Sequence, residues 1–148
     1  DATDNYFSDN DKWGTLVSQA HSTPKPVLLK VEATSIDTNV IFVATDISNL
    51  DTDSIEATLQ VWLTEDSVMG RQYMPDGTQN REYAHNHLMR ASISPLWGEH
   101  LSMDTQVKQQ ITYTYTLPEK VKKENCNIVA LVSVNGEVVQ ATETKITL

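Results

Sequence analysis

From Val27 onward apolar residues recur at alternate positions, and this period of two constrains the fold more than any other feature. In VLLKVEATSI, Val27, Leu29, Val31 and Ala33 share one face, and Lys30, Glu32 and Thr34 share the other. Successive side chains of a strand point to opposite sides, so the pattern predicts a strand with one buried face. IEATLQVWLTE repeats it, with Ala57, Leu59, Val61 and Leu63 inward and Thr58, Gln60 and Trp62 outward. QQITYTYTL sets Ile111, Tyr113, Tyr115 and Leu117 against three threonines. The run Val40 to Ala44 is apolar on both faces, as in a central strand.

Turn chemistry separates these runs. Asn135-Gly136 joins NIVALVSV to EVVQATETKITL, and both residues tolerate positive φ, which marks a tight hairpin. Arg81 to Ile93 reads as another strand, broken afterwards by Pro95 and Gly98. The polar stretch from Asp66 to Arg81, with its MPDG, reads as an extended loop. The count is about seven strands with little helix. Two antiparallel sheets of this kind must cover each other's apolar faces, so we expect an all-β, immunoglobulin-like antiparallel β-sandwich over 27–148. A closed barrel is the alternative. The expected core includes Val27, Leu29, Val31, Phe42, Leu59, Val61, Ile111, Tyr113, Val129 and Leu131.

Residues 1–26 differ. Trp13, Leu16, Val17 and Ala20 fall at helical spacing, with Asp11 available as a cap, before Pro24 and Pro26. This predicts a short helical or irregular segment, either a linker or the remnant helix of an upstream domain. Its apolar content, with Tyr6 and Phe7, predicts that it packs back on the sandwich or pairs with a second copy. The chain opens DATDNYF without an initiator methionine, as a processed or excised chain would.

Charge and cysteine usage narrow the function. Eleven basic residues face 20 acidic ones, for a net charge of -9. The basic cluster EKVKKE is flanked by acids, so nucleic acid is not an expected partner. The single cysteine, Cys126, cannot close a disulfide within the chain and reads as a buried thiol. No apolar run is long enough to span a membrane as a helix.

YAHNHLMR, Tyr83 to Arg90, carries the densest chemistry. On one strand His85 and His87 would stand on one face, ~6–7 Å apart. Such a pair can begin a zinc or copper site, but a finished site needs further ligands. His21, Glu99, His100 and Asp104 are candidates that spacing does not bring together. We favour a structural role, with ring nitrogens tying loop to sheet. Arg90 is expected to pair with a carboxylate such as Glu82 or Glu56. Trp97-Gly98 is expected to plug one end of the sandwich. Trp62, Tyr73 and Trp97 would form a ligand platform if exposed together. Ser92 and Ser94 lie outside any nucleophile elbow, and no phosphate loop or catalytic motif is present. We expect no enzyme and no cofactor.

YAHNHLMRASISPLWGE resembles a signature of the Omp28-related outer membrane proteins of Bacteroidetes, in His85, Asn86, His87, Arg90, Trp97 and Gly98. The closing hairpin is similar too, with Val139, Gln140 and Ala141 at its end, and Trp13 falls where the family joins two domains. The resemblance implies an exported, often lipoprotein-like protein of the cell envelope or outer membrane surface. It also implies a thioredoxin-like domain upstream, whose Cys-x-x-Cys-type motif this sequence lacks. The chain would then be the carboxy-terminal β-domain, a non-catalytic structural or interaction module. The alternatives are a carbohydrate- or peptide-binding module, and a metal-binding domain or enzyme using His85 and His87. A protein, peptide or glycan would be the partner.

Overall fold

The structure is a computed structural model that describes residues 10–22 and 26–147. A helix, α1 (Asn10–Ser22), precedes ten strands: β1 (Val27–Ser35), β2 (Val40–Asn49), β3 (Ile55–Glu65), β4 (Val68–Tyr73), β5 (Gln79–His85), β6 (Leu88–Ser92), β7 (Glu99–Met103), β8 (Lys108–Thr116), β9 (Cys126–Val134) and β10 (Glu137–Thr147). A 3-10 turn at Lys123–Asn125 leads into β9.

One layer is β1-β2-β8 and the other is β3-β9-β10, with β6 and β7 sharing the outer side of β3. Neighbours are antiparallel except β1 and β10, which run parallel at Ala33–Ile146 and Thr34–Thr147 and join the two layers. This is the all-β sandwich that the alternation requires. Its inner faces meet in one core built from Val27, Leu29 and Val31 of β1, Ile41, Val43 and Ile47 of β2, Leu59, Val61 and Leu63 of β3, and Ile128, Ala130 and Val132 of β9.

Three core expectations are corrected. Phe42 is 39% exposed, because Ile41 and Val43 face inward. Val129 and Leu131 lie on the outer face, where Ile128, Ala130 and Val132 leave them half-buried. Both runs are apolar at consecutive positions, so the period of two has no phase there. Ile111 and Tyr113 pack on the core while half-buried.

The sandwich has more strands around it than the pattern counts. The polar stretch after Asp66 is a hairpin of β4 and β5, closed at Met74–Thr78. Gly77 has φ 83°, and the Asp76 carboxylate accepts from Thr78 N at 2.9 Å. Pro75-Asp76-Gly77 is itself turn chemistry. The long strand expected over 81–93 divides at Asn86-His87 into β5 and β6.

Helix α1 begins at Asn10, a residue before the expected cap, and leaves Trp13, Leu16 and Val17 largely exposed. The expected burial of these side chains on the sandwich is not seen. Tyr6 and Phe7 lie outside the described residues. No described helix is long and apolar enough to cross a membrane.

Replacing Leu59, which is fully buried, with Ala should cost about 2–5 kcal/mol, whereas Phe42→Ala should cost no more than ~1 kcal/mol. Urea denaturation of the two variants checks the order. Equal losses would mean that the phase of β2 is misassigned.

Candidate functional site

The motif Tyr83 to Arg90 folds as one side of a joint. Glu65 faces Leu88, and Val68 faces His85, three residues further along each strand. The pairing therefore keeps register across the break. β3 with β4, and β5 with β6, form one long hairpin that kinks as it leaves the sandwich.

The kink is built from two opposed turns. Ser67 and His87 adopt left-handed backbone, with φ 58° and 54°. For residues other than glycine this costs about 1–2 kcal/mol each. Reciprocal hydrogen bonds offset it. The His87 N–H donates to Asp66 Oδ1 at 2.7 Å, and the Ser67 N–H donates to Asn86 Oδ1 at 3.0 Å. Asp66 Oδ2 accepts from Asn127 Nδ2 of β9 at 2.8 Å, which ties the kink to the sheet. These donors, His87 N–H first and Asn127 second, hold the Asp66 carboxyl below its ordinary value of 3.8. Under this joint the polar pair Thr64 and Asn127 is buried, although it lies on the outer side of β3 and β9.

A second contact braces the joint from inside. The register of β3 and β6 shifts between Leu63–Ala91 and Thr64–Met89, which makes Arg90 the extra residue of a β-bulge. Arg90 Nε meets Glu65 Oε2 at 3.2 Å, with side-chain exposures of 27% and 5%. Glu65 Oε1 accepts from Lys122 N at 2.8 Å. The carboxylate expected for Arg90 was Glu82 or Glu56; the structure supplies Glu65. Cys126 pairs with Glu65 across the sheet. Burial, and then Glu65, push its thiol up to about 11, so it is not a nucleophile at neutral pH.

The histidines do not stand side by side on one strand. His85 ends β5, where its ring packs edge-on to Tyr83 at 5.0 Å and lies over Gly70. His87 belongs to the turn. Its Nδ1 lies 3.7 Å from Asp66 and its Nε2 lies 3.3 Å from Glu143. The two carboxylates approach opposite sides of the ring, so they do not converge on one point as metal ligands must. His100 neighbours Thr58, and Asp104 accepts from Ser54. Among the described residues no group of three or more His, Cys, Asp or Glu side chains could hold a metal. Ser94 Oγ accepts from Val61 N at 3.0 Å, and Ser92 Oγ donates to the Ser94 carbonyl at 3.0 Å, so both serines serve the backbone.

The aromatic candidates separate. Trp62 is half-buried on β3 beside Ser92 and Val129. Tyr73 is 74% exposed at the far end of β4. Trp97 is 83% exposed and does not plug the sandwich. Gly98 lies instead against the middle of β3. Its φ is 89°, and a Cβ there would strike Thr58 Cγ2 and lie 2.9 Å from the Leu59 carbonyl. The missing side chain lets the Pro95–Gly98 turn lie on β3 and leaves Trp97 at its crest.

Comparison with known proteins decides the family. The model of the outer membrane protein Omp28 family matches residues 3–147. The chain belongs to the Omp28 family. Membership places it among exported proteins of the cell envelope. A domain of the outer membrane lipoprotein Omp28 from Porphyromonas gingivalis superposes with TM-score 0.61 at 23% identity, covering 84% of this chain and 91% of that one. HBP35 of Porphyromonas gingivalis superposes with TM-score 0.69 at 11% identity, covering 90% of this chain and 45% of that one. Both likenesses concern the fold. No curated protein matches the chain.

Two substitutions test the joint. Arg90→Ala leaves the Glu65 carboxylate buried without its ion-pair partner and should cost about 3–5 kcal/mol, most of it recovered by adding Glu65→Gln. Asp66→Asn should destabilise near neutral pH. Because the folded-state pKa of Asp66 lies below 3.8, its contribution is complete above that value and is lost as pH falls through the lowered one. The gap between parent and variant should therefore close in acid. A gap independent of pH would show that the charge of Asp66 does not hold the clasp.

Proposed function

We propose that the domain is a non-catalytic interaction module of an envelope protein, in which the kinked arm of β4 and β5 is the presenting element. The observation that carries this reading is the engagement of the motif's polar groups within the fold. Asn86 and the His87 backbone close the clasp, and Arg90 braces it against Glu65. A catalytic site would need a nucleophile or base directed at a substrate space, and the Asn86 side chain and His87 backbone are directed at the opposite turn. The joint fixes where the arm leaves the sandwich. The arm bears exposed Met69 and Tyr73 on β4 and Tyr83 on β5. Aromatic and methionine side chains are favoured where protein surfaces meet.

The half-burial of Trp62 argues against a three-aromatic glycan platform. We further read residues 1–26 as the lead from an upstream domain, thioredoxin-like as the family resemblance implies. The exposed Trp13, Leu16 and Val17 of α1 suit a segment whose apolar side is covered by another domain.

Photocrosslinking tests the arm in cells that make the full-length protein. A crosslinking residue in place of Tyr73 should give a discrete adduct. The same residue in place of Thr112, exposed on the opposite layer, should give none. Equal labelling from both positions, or none from Tyr73, would reject the arm as the interaction surface.

A further inference from the structure

The geometry points to a carboxylate-binding pocket where the kinked hairpin meets the crossing segment before β9. The cavity holds about 210 Å3 and is lined by Arg90, Lys120 and Lys122 together with Glu65, Ser67 and the apolar pair Val68 and Met69. It lies at the base of the arm, where it shares Met69, and away from Tyr73 at the tip.

Charge comes first. The basic cluster EKVKKE lies in a chain of net charge -9. The fold brings two of its lysines to the same cavity as Arg90. Lys123 is engaged elsewhere, donating to Ser35 Oγ at 2.8 Å and to the Thr38 carbonyl at 3.0 Å. Among the described residues the side chains of Lys120 and Lys122 have no ion-pair partner. The residues that line this cavity thus include three cations and one carboxylate, Glu65.

Glu65 also positions the arginine. It holds Arg90 through Nε, while its other oxygen is fixed by the Lys122 N–H. The terminal N–H groups of the guanidinium have no acceptor among the described residues. The Arg90 side chain keeps 27% of its surface exposed and lines the cavity. A guanidinium held at Nε and free at its end is a preorganised fork for a carboxylate.

Size and lining select the ligand. A water occupies ~30 Å3 of liquid, so the cavity has room for a carboxylate with a short chain. Val68 and Met69 line the cavity and offer apolar contact to that chain. A phosphate dianion would bring twice the charge beside Glu65 and has no use for such contact. The carboxylate belongs either to a free short-chain acid or to the end of a peptide.

Nuclear magnetic resonance titration of the 148-residue chain tests the site and separates these sources. The probes are sodium butyrate, a short acetylated peptide with a free carboxy terminus, and the same peptide amidated. Sodium chloride at matched ionic strength is the control. Saturable shifts at Ser67, Val68, Met69 and the Arg90 Nε–H are expected with butyrate or the peptide acid. Binding of butyrate alone assigns a free acid, and tighter binding of the peptide acid assigns a chain end. Arg90→Ala leaves Glu65 unpaired and risks misfolding, so the decisive variant is the surface double substitution K120Q/K122Q. It should fold as the parent does and bind at least ~10-fold more weakly. Shifts matched by chloride or by the peptide amide would overturn the proposal, as would unchanged binding by the double variant.

Discussion

A carboxylate buried at the end of a strand must find a cation, and in this domain Glu65 makes that demand. Removing a carboxylate from water costs several kcal/mol unless charge and hydrogen bonds replace the lost solvation. Arg90 and the Lys122 N–H meet that need. The consequence reaches beyond the pair. Arg90 sits at a bulge in β6, and the bulge sets the register with which β5 and β6 return along β3 and β4. The same contact draws the crossing segment of Lys122 against the joint. One ion pair thus joins a strand end, a bulge and a loop.

The outer side of the joint is held differently. Ser67 and His87 are both left-handed, and each N–H is received by a side chain of the opposite turn. Two left-handed turns thus satisfy one another's N–H groups across the kink. His87 contributes to the clasp through its backbone, while its ring lies between Asp66 and Glu143. The motif therefore joins the arm to the sandwich, and the arm continues the pairing of β3 and β6 beyond it.

Much of this was legible from residue order. The alternation in β1, β3 and β8 places their inner faces correctly, because one side of each strand is polar. It fails at Phe42 and at Val129 and Leu131, where the runs are apolar on both sides and only packing sets the phase. Pro75-Asp76-Gly77 carried a hairpin signal, but the flanking strands are mostly exposed and show no apolar alternation to accompany it. His85, Asn86, His87 and Arg90 were picked out as a group. Their partners Glu65, Asp66, Ser67 and Asn127 were not, since nothing in local spacing joins residues about 20 to 60 positions apart.

The sequence by itself determined an all-β sandwich, its closing hairpin at Asn135-Gly136 and the family to which the motif belongs. These rest on short-range patterns, namely side-chain periodicity, turn residues and motif order. Only the tertiary structure decided what the motif does. A strand read as continuous breaks at His87 because Asp66, in the turn between β3 and β4, receives its N–H. Arg90 takes Glu65 because a bulge turns it toward the end of the core. Trp97 stays in solvent because Gly98 occupies the contact on β3. Each outcome depends on which strands become neighbours, and that is fixed when the two apolar faces close on each other.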